Sequence, residues 1–221
     1  MVVASDRPVA GGVIDRNKLP RWMRALHIIP TSLYRAKWVR KEDGRPSRRS
    51  RGNMVRSGVI GWWKTKWHGV QPTKWTQRNH QMVSSVDWDF YKLCSYLSAV
   101  LFGHDNEAWH EQQQFAKKVG DCTLHKGWFP FTTVTVNRNF RTALHNDIHN
   151  LANSMSLMVV AKLKEYQGCE LLIPEKKWRI DVKEGDVVMM DRDLLHCNSE
   201  FMTTGCRISM VFYCREDLVK I

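Results

Sequence analysis

A histidine, an aspartate two residues later and a distant second histidine are the residues of this sequence best suited to hold a metal ion. His145 and Asp147 lie at the end of an apolar, β-branched run, and His196 follows a turn-bounded segment with strand character. Two imidazoles and one carboxylate form the facial triad that holds Fe(II) on one side and leaves the opposite positions open for substrate and O₂. The sequence therefore predicts a mononuclear iron site.

An arginine and a serine downstream of His196 are suited to bind a carboxylate. Arg207 begins the segment 207–213, and Ser209 shares its face if the segment is a strand. The flanking residues are apolar, so Arg207 is expected to be buried, where an arginine without an anion is costly. Because its planar fork matches a carboxylate, we predict that Arg207 and Ser209 bind a dicarboxylic keto acid, the co-substrate of an iron oxygenase.

Strand parity adds further polar residues to this predicted pocket. Counting back by twos from His145 reaches Arg141 and Asn137, which we assign to the co-substrate side. His149 lies four residues after His145, and on a helix this HxxxH spacing would form a zinc pair. The preceding β-branched run argues against a helix. A zinc-dependent hydrolase that uses His145, His149 and His196 is the alternative for this cluster.

Hydrophobic periodicity predicts one early strand, helices that end before residue 120, and a series of strands after residue 129. Helices are expected over 85–102 and, capped by Asp105, over 105–118; a short basic helix over 21–29 is expected to stop at Pro30. Strand patterns cover 57–63, 131–136, 155–164, 169–173, 178–182, 185–190 and 207–213. Short strands after helices fit an α+β fold with a double-stranded β-helix, or jelly-roll, core buttressed by helices.

The positive charge of the chain is concentrated in its first third. Residues 1–80 hold 18 Lys and Arg against 4 Asp and Glu, whereas residues 81–221 hold 16 against 18. Six tryptophans interleave with these charges: Trp22, Trp38, Trp62, Trp63, Trp67 and Trp75. Basic residues neutralise phosphates and aromatic rings stack on bases, so this region predicts nucleic-acid binding. The alternative is a solvated basic face with tryptophans packed in the core.

Other features restrict the class of protein. No apolar run approaches the roughly 20 residues that cross a bilayer, and the first residues do not have the pattern of a secretion signal. The six cysteines show neither a CxxC pair nor the spacing of a disulfide scaffold. We expect an intracellular protein, with a monomer as the simplest state.

Two stretches resemble the TET/JBP family of Fe(II)- and 2-oxoglutarate-dependent dioxygenases, which oxidise the 5-methyl group of pyrimidines in nucleic acid. His145 to Asn150 reads HNDIHN and resembles the family pattern HxDIHN, and Arg207 to Tyr213 reads RISMVFY and resembles RISxVFY. The resemblance covers residues 57–216. It implies a dioxygenase domain over 57–221, preceded by a basic, partly mobile DNA-contacting segment over 1–56 that includes a loop at 41–53.

The resemblance also implies roles for individual residues. His145, Asp147 and His196 would hold iron, and Arg207 and Ser209 would hold 2-oxoglutarate. Asn150 would contact a base flipped out of the duplex, because a methyl group inside DNA cannot reach a buried metal, and Tyr213 would stack on that base. The reaction implied is hydroxylation of 5-methylcytosine in DNA, with further oxidation to formyl and carboxyl.

One position departs from the family pattern. TET enzymes carry a base-contacting histidine two residues after the tyrosine, where this chain has Arg215. The segment 134–141 is similar to small JBP-type and phage-type members, some of which oxidise thymine to 5-hydroxymethyluracil. We expect 5-methylcytosine as the substrate because of Asn150 in its motif; thymine, RNA and a non-catalytic DNA-binding protein are the alternatives.

Overall fold

The computed structural model describes residues 2–5, 21–34, 36, 56–202 and 205–219. The basic loop predicted at 41–53 and most of the segment 1–56 lie outside these residues. The described part of the chain therefore tests the predicted catalytic domain and one helix that precedes it.

Five α-helices in the described residues form one layer of the fold. They are α1 (Arg21–Leu33), α2 (Lys74–Arg78), α3 (His80–Ser85), α4 (Asp87–His104) and α5 (Asn106–Val119). The carboxylate of Asp105 accepts a hydrogen bond from the amide of Ala108 at 3.0 Å, which confirms the predicted cap of α5. None of the helices in the described ranges is both long enough and apolar enough to span a membrane.

Helix α1 continues through Pro30, so the predicted stop at that residue is wrong. Proline removes one helical N–H donor and crowds the preceding turn. Here Ile29, Pro30 and Leu33 are all buried, and the packing of this last turn against the core offsets the lost hydrogen bond. Tertiary burial rather than local propensity decides where the helix ends.

Within the described ranges, ten strands form two antiparallel sheets. They are β1 (Val2–Ser5), β2 (Ser57–Thr65), β3 (Gly69–Pro72), β4 (Thr133–Arg138), β5 (Met155–Lys164), β6 (Leu171–Ile173), β7 (Trp178–Ile180), β8 (Asp186–Asp191), β9 (Cys197–Asn198) and β10 (Cys206–Tyr213). The larger sheet has the order β1-β8-β5-β10-β4-β2-β3, and the smaller has the order β7-β6-β9.

Alternation along the central strands divides the core into two layers. Leu157 and Val159 of β5 belong to the cluster shared with the helices. Met158 and Val160 point the other way and pack with residues of the smaller sheet, such as Leu171. The order helices, large sheet, small sheet confirms the predicted α+β class with a jelly-roll core, although the sheets of the described chain do not close into a barrel.

Gln112 ties the helix layer to the strands on either side of the predicted metal loop. Its side chain is fully buried. The amide nitrogen donates to the Pro130 carbonyl at 3.0 Å, and the amide oxygen accepts from the Met155 backbone N–H at 2.9 Å. Pro130 precedes β4 and Met155 begins β5, so one side chain anchors both ends of the segment that carries His145 and Asp147.

Replacing Gln112 with alanine is expected to lower the free energy of unfolding by about 2 to 4 kcal/mol, because two buried backbone groups lose their partners. Chemical denaturation of the purified protein measures this change. The matched control is Gln114→Ala, an exposed position on the same helix, where the expected change is about 0.5 kcal/mol or less. Equal losses in the two variants would contradict the anchoring role.

Candidate active site

The three predicted metal ligands converge on one point. One ligand atom from each of His145, Asp147 and His196 lies within 4.8 Å of the other two. The histidines are paired by a short antiparallel bridge, in which each backbone N–H donates to the other's carbonyl at 3.0 and 2.9 Å. Their ring centroids are 4.4 Å apart. This bridge brings together two residues that are distant in sequence.

The hydrogen bonds of the two histidines orient their rings for metal binding. Nδ1 of His145 lies 2.8 Å from the carbonyl of Ala143, and Nδ1 of His196 lies 2.8 Å from that of Leu194. A carbonyl only accepts, so each Nδ1 carries the proton and each Nε2 keeps its lone pair. Together with the Asp147 carboxylate, whose Oδ1 is 3.6 Å from Nε2 of His145, this donor set fits Fe(II).

His149 does not join this cluster. The structure contains no helix over residues 141–150, so the HxxxH pair does not form on one helical face. His149 is exposed at the rim of the cavity, and its carbonyl accepts from the Glu216 amide at 3.1 Å. The described residues therefore bring His196, and not His149, next to His145.

A cavity of about 670 Å³ lies beside the cluster. Nine of the residues discussed in the sequence analysis line it: Asn137, His145, Asp147, His149, Asn150, His196, Ser209, Tyr213 and Arg215. Ser57, Thr135 and Asn198 also line it and were missed. Thr135 shares strand parity with Asn137 in β4, so the periodicity that found Asn137 contains the signal for Thr135 as well.

Arg207 is buried with an unsatisfied nitrogen. It is 3% exposed, and its Nη2 has no hydrogen-bond partner among the described residues. Burial raises the pKa values of the neighbouring Tyr166 and Cys169, and the Arg207 guanidinium opposes that effect in both. A buried cation of this kind needs an anion. The residue therefore fits the distal carboxylate of 2-oxoglutarate, with Ser209 two residues along the same strand face.

Arg141 is not brought to the cavity, contrary to the parity argument. Strand β4 ends at Arg138, and Asn139 adopts a positive φ of 47°, so alternation does not continue beyond it. The Arg141 side chain is 43% exposed and lies 4.0 Å from Glu200. Asn139 has a structural role instead, because its Oδ1 accepts from the Arg207 amide at 2.8 Å.

The opposite end of the cavity carries the residues assigned to base recognition. Asn150 is 5% exposed, and its amide nitrogen donates to Ser156 Oγ at 2.8 Å, which leaves its Oδ1 as an acceptor. The Tyr213 hydroxyl accepts from Thr135 Oγ1 at 3.3 Å, and burial raises the pKa of this tyrosine. It stays neutral around pH 7.

Arg215 is held in a fixed orientation by an acidic neighbour. Its Nε and Nη2 donate to the two carboxylate oxygens of Asp217 at 2.7 and 2.9 Å. This bidentate hydrogen bonding raises the pKa of Arg215 above its usual range. The cavity wall thus contains a guanidinium that only donates hydrogen bonds and whose charge is balanced by Asp217.

Arg192 fixes the loop that carries both Asp147 and Asn150, and sequence reasoning gave it no role. Its carbonyl accepts from the Asp147 amide at 2.8 Å. Its Nη1 donates to the Asn150 carbonyl at 2.8 Å and to Glu216 Oε2 at 3.1 Å. No local pattern marks this arginine, because its partners are distant in the chain.

Comparison with known proteins identifies relatives of this chain. The sequence model of the Tet_JBP family, described as the oxygenase domain of the 2OGFeDO superfamily, matches residues 66–216. The bifunctional helicase and thymine dioxygenase JBP2 of Leishmania infantum is 38% identical over 173 residues, which are 74% of this chain and 15% of that protein. The thymine dioxygenase JBP1 of Trypanosoma brucei brucei is 28% identical over 173 residues, 76% of this chain and 20% of that protein.

A solved structure shares the fold. NgTET1 in complex with 5mC DNA has a TM-score of 0.65 at 14% identity, over 91% of this chain and 71% of that one. The chain spans only a fifth or less of the length of the two thymine dioxygenases. The profile match covers more than half of the chain and contains all three predicted metal ligands. The chain belongs to the Tet_JBP family of the 2-oxoglutarate and Fe(II) dioxygenase superfamily, whose cofactors are Fe(II), 2-oxoglutarate and O₂.

Proposed function

We propose that this protein is a 2-oxoglutarate-dependent dioxygenase that hydroxylates the 5-methyl group of a pyrimidine base in DNA inside the cell. The observation that carries the proposal is the placement of the two-histidine, one-carboxylate cluster in a single cavity with Ser209 at one end and Tyr213 at the other. The naming of two relatives as thymine dioxygenases supports a methylated pyrimidine as the target.

His145, Asp147 and His196 would hold the iron through two Nε2 atoms and one carboxylate oxygen. When bound, iron together with 2-oxoglutarate and O₂ supplies the oxidant that converts a methyl group into hydroxymethyl. The chain contributes fixed ligand geometry, since backbone carbonyls hold both imidazoles in one tautomer. His196 is 7% exposed, so protein surrounds this ligand and restricts the access of water.

Arg207 and Ser209 would bind 2-oxoglutarate, with Asn137 beside them at the same end of the cavity. Arg207 has a buried nitrogen without a partner, Asn137 has a buried amide oxygen in the same condition, and Ser209 and Asn137 both line the cavity. Arg207 would neutralise the distal carboxylate and Ser209 would donate to it. Asn137 Oδ1 only accepts, so it would be satisfied by an ordered water or an N–H group rather than by the carboxylate itself.

Tyr213, Asn150 and Arg215 would receive the flipped base. An enzyme that acts on a base takes it out of the stack and reads its Watson–Crick edge. Tyr213 offers an aromatic face, the free Asn150 oxygen accepts, and Arg215 donates. The hydrogen bonds of Arg192 to the Asn150 carbonyl and to Glu216 would keep these groups in place.

Arg215 favours thymine as the first substrate. Thymine presents the carbonyl O4 where 5-methylcytosine presents an amino group. A donor-only guanidinium pairs with a carbonyl and leaves an amino group unmatched. Since two relatives are thymine dioxygenases, we rank thymine above the 5-methylcytosine expected from Asn150, which stays the second candidate. Further oxidation to formyl and carboxyl is part of the same proposal.

His145→Ala is expected to abolish iron binding and product formation, because the facial triad loses a ligand. The assay incubates the protein with Fe(II), 2-oxoglutarate, ascorbate and a duplex that contains thymine and 5-methylcytosine, and measures oxidised nucleosides by mass spectrometry and bound metal by elemental analysis. The matched control, His149→Ala, is expected to keep the iron. Loss of metal from the His149 variant, with zinc in the wild type, would favour the hydrolase alternative instead.

Arg207→Met is expected to weaken 2-oxoglutarate binding by about 10- to 100-fold, because the distal carboxylate loses a charged hydrogen-bond partner in a buried site. Isothermal titration of the iron-loaded protein with 2-oxoglutarate measures the change without turnover. Arg141→Met serves as the control and is expected to change the affinity less than twofold, since the Arg141 side chain is 43% exposed and lies 4.0 Å from Glu200. A larger loss of 2-oxoglutarate affinity in the Arg141 variant than in the Arg207 variant would support the assignment of Arg141 to the co-substrate site.

Arg215→Gln is expected to shift substrate choice toward 5-methylcytosine by about tenfold, because the glutamine amide can accept from the cytosine amino group as well as donate. Competition between thymine and 5-methylcytosine in one duplex, read as the ratio of hydroxymethyluracil to hydroxymethylcytosine, measures the shift. The control is Arg179→Gln, an exposed arginine on the smaller sheet. An unchanged ratio in the Arg215 variant would remove this residue from base selection.

A further inference from the structure

The β2–β3 hairpin exposes a tryptophan that no part of the proposed active site uses. The tip is the turn Lys66-Trp67-His68, and the Trp67 side chain is 80% exposed. Other tryptophans of the basic region are packed: Trp75 is 3% exposed beneath Gly58, and Trp22 stacks on Tyr96 at 3.9 Å. Trp38 lies outside the described residues. Packing in the core therefore accounts for Trp22 and Trp75 but not for Trp67.

The tip is a formed turn. The amide of His68 donates to Thr65 Oγ1 at 3.0 Å, and Gly69 supplies the positive φ of 64° that returns the chain into β3. Nζ of Lys66 lies 5.1 Å from the Trp67 ring centroid. An indole held at a stiff hairpin tip loses little conformational entropy when it binds a partner.

The segment that carries the tip has charge of one sign. From residue 44 to residue 86 the sequence contains no aspartate or glutamate; Lys66 lies in the turn and Lys64 two residues before it. Basic side chains beside an exposed aromatic ring match the two chemical features of a nucleic acid, the phosphate backbone and the face of the bases. An apolar protein partner would leave these lysines without counter-charges.

Strand register shows where the tip lies relative to the cavity. Ser57 and Ser209 both pair with Asn137, whereas Gly61 and Tyr213 both pair with Thr133. Strand β2 therefore runs beside β4 in the same direction as β10, from the Ser209 end of the cavity toward the Tyr213 end. At about 3.3 Å per residue, the tip extends roughly 15 Å beyond the level of Tyr213.

We propose that the β2–β3 hairpin is a second DNA-docking element, in which Trp67 wedges between base pairs of the duplex flanking the flipped nucleotide while Lys64 and Lys66 bind phosphates. The inference rests on the proposed function, because the Tyr213 end of the cavity then marks where the DNA lies. A reach of roughly 15 Å corresponds to about four to five base pairs at the axial rise of one strand. The hairpin would thus bind the DNA duplex outside the active site.

The test compares DNA binding by Trp67→Ala and wild-type protein, using fluorescence anisotropy with a long duplex of about 25 base pairs and a GC-rich one of about 7, each with the target at its centre. The expected result is an affinity for the long duplex about tenfold weaker in the variant, with no difference on the short one. Trp178→Ala removes a partly exposed tryptophan from the smaller sheet and is expected to bind like wild type.

The lysines are tested by the salt dependence of the same binding. Lys64→Ala combined with Lys66→Ala is expected to reduce the slope of log Kd against log salt by about 2, one counterion for each phosphate contact. The control pair, Lys176→Ala with Lys177→Ala, changes exposed lysines near the smaller sheet. Its slope is expected to match that of the wild type.

Several outcomes would overturn the hairpin proposal: wild-type affinity of Trp67→Ala for the long duplex, an equal loss on the short duplex, or an equal loss in Trp178→Ala. A change in oligomeric state without a change in affinity would assign the tip to self-association and also overturn it. Failure of the wild type to oxidise any base, with Trp67-dependent binding intact, would count against the proposed function and support the hairpin as a DNA contact.

Discussion

The register of strand β10 is the constraint on which the site depends. This strand hydrogen-bonds to β4 on one side and to β5 on the other. Its alternate residues Ile208, Met210 and Phe212 are fully buried in the helix-facing core, which fixes the opposite face toward the smaller sheet. A slip of one residue would exchange the two faces. One pairing therefore sets the positions of Arg207, Ser209 and Tyr213 together.

Backbone hydrogen bonds rather than side-chain packing hold His145, Asp147 and His196 together. The His145 and His196 bridge pairs two segments that are otherwise irregular, and carbonyls fix both imidazoles. Arg192 adds hydrogen bonds to Asp147 and Asn150 of the loop that carries His145, and to Glu216. Backbone carbonyls thus orient the side of the site that carries the two histidines. On the co-substrate side, Arg207 and Asn137 keep buried polar atoms that have no partner among the described residues and are available to a ligand.

The two proposed DNA contacts divide the work of substrate recognition. The cavity would select the base through Arg215 and Asn150, while the hairpin would supply sequence-independent affinity through phosphates and stacking. The hairpin tip lies beyond the level of Tyr213 along the direction of β2. Base choice and duplex affinity are therefore separable by substitution, because no residue belongs to both.

The sequence by itself determined the fold class. It also predicted the candidate metal ligands, which the structure brings together, and the candidate co-substrate arginine, which the structure buries. Their signals are local: HxD spacing, a strand-like segment begun by an arginine, and helical followed by alternating periodicity. The family motifs added the roles of Asn150 and Tyr213 in base recognition, which stay predictions. Tertiary structure decided what depends on distant contacts. In the folded chain, helix α1 continues through Pro30, β4 ends before Arg141, and Trp67 is exposed while Trp75 is buried. Burial and long-range hydrogen bonds decide these features because they outweigh local propensity and strand parity.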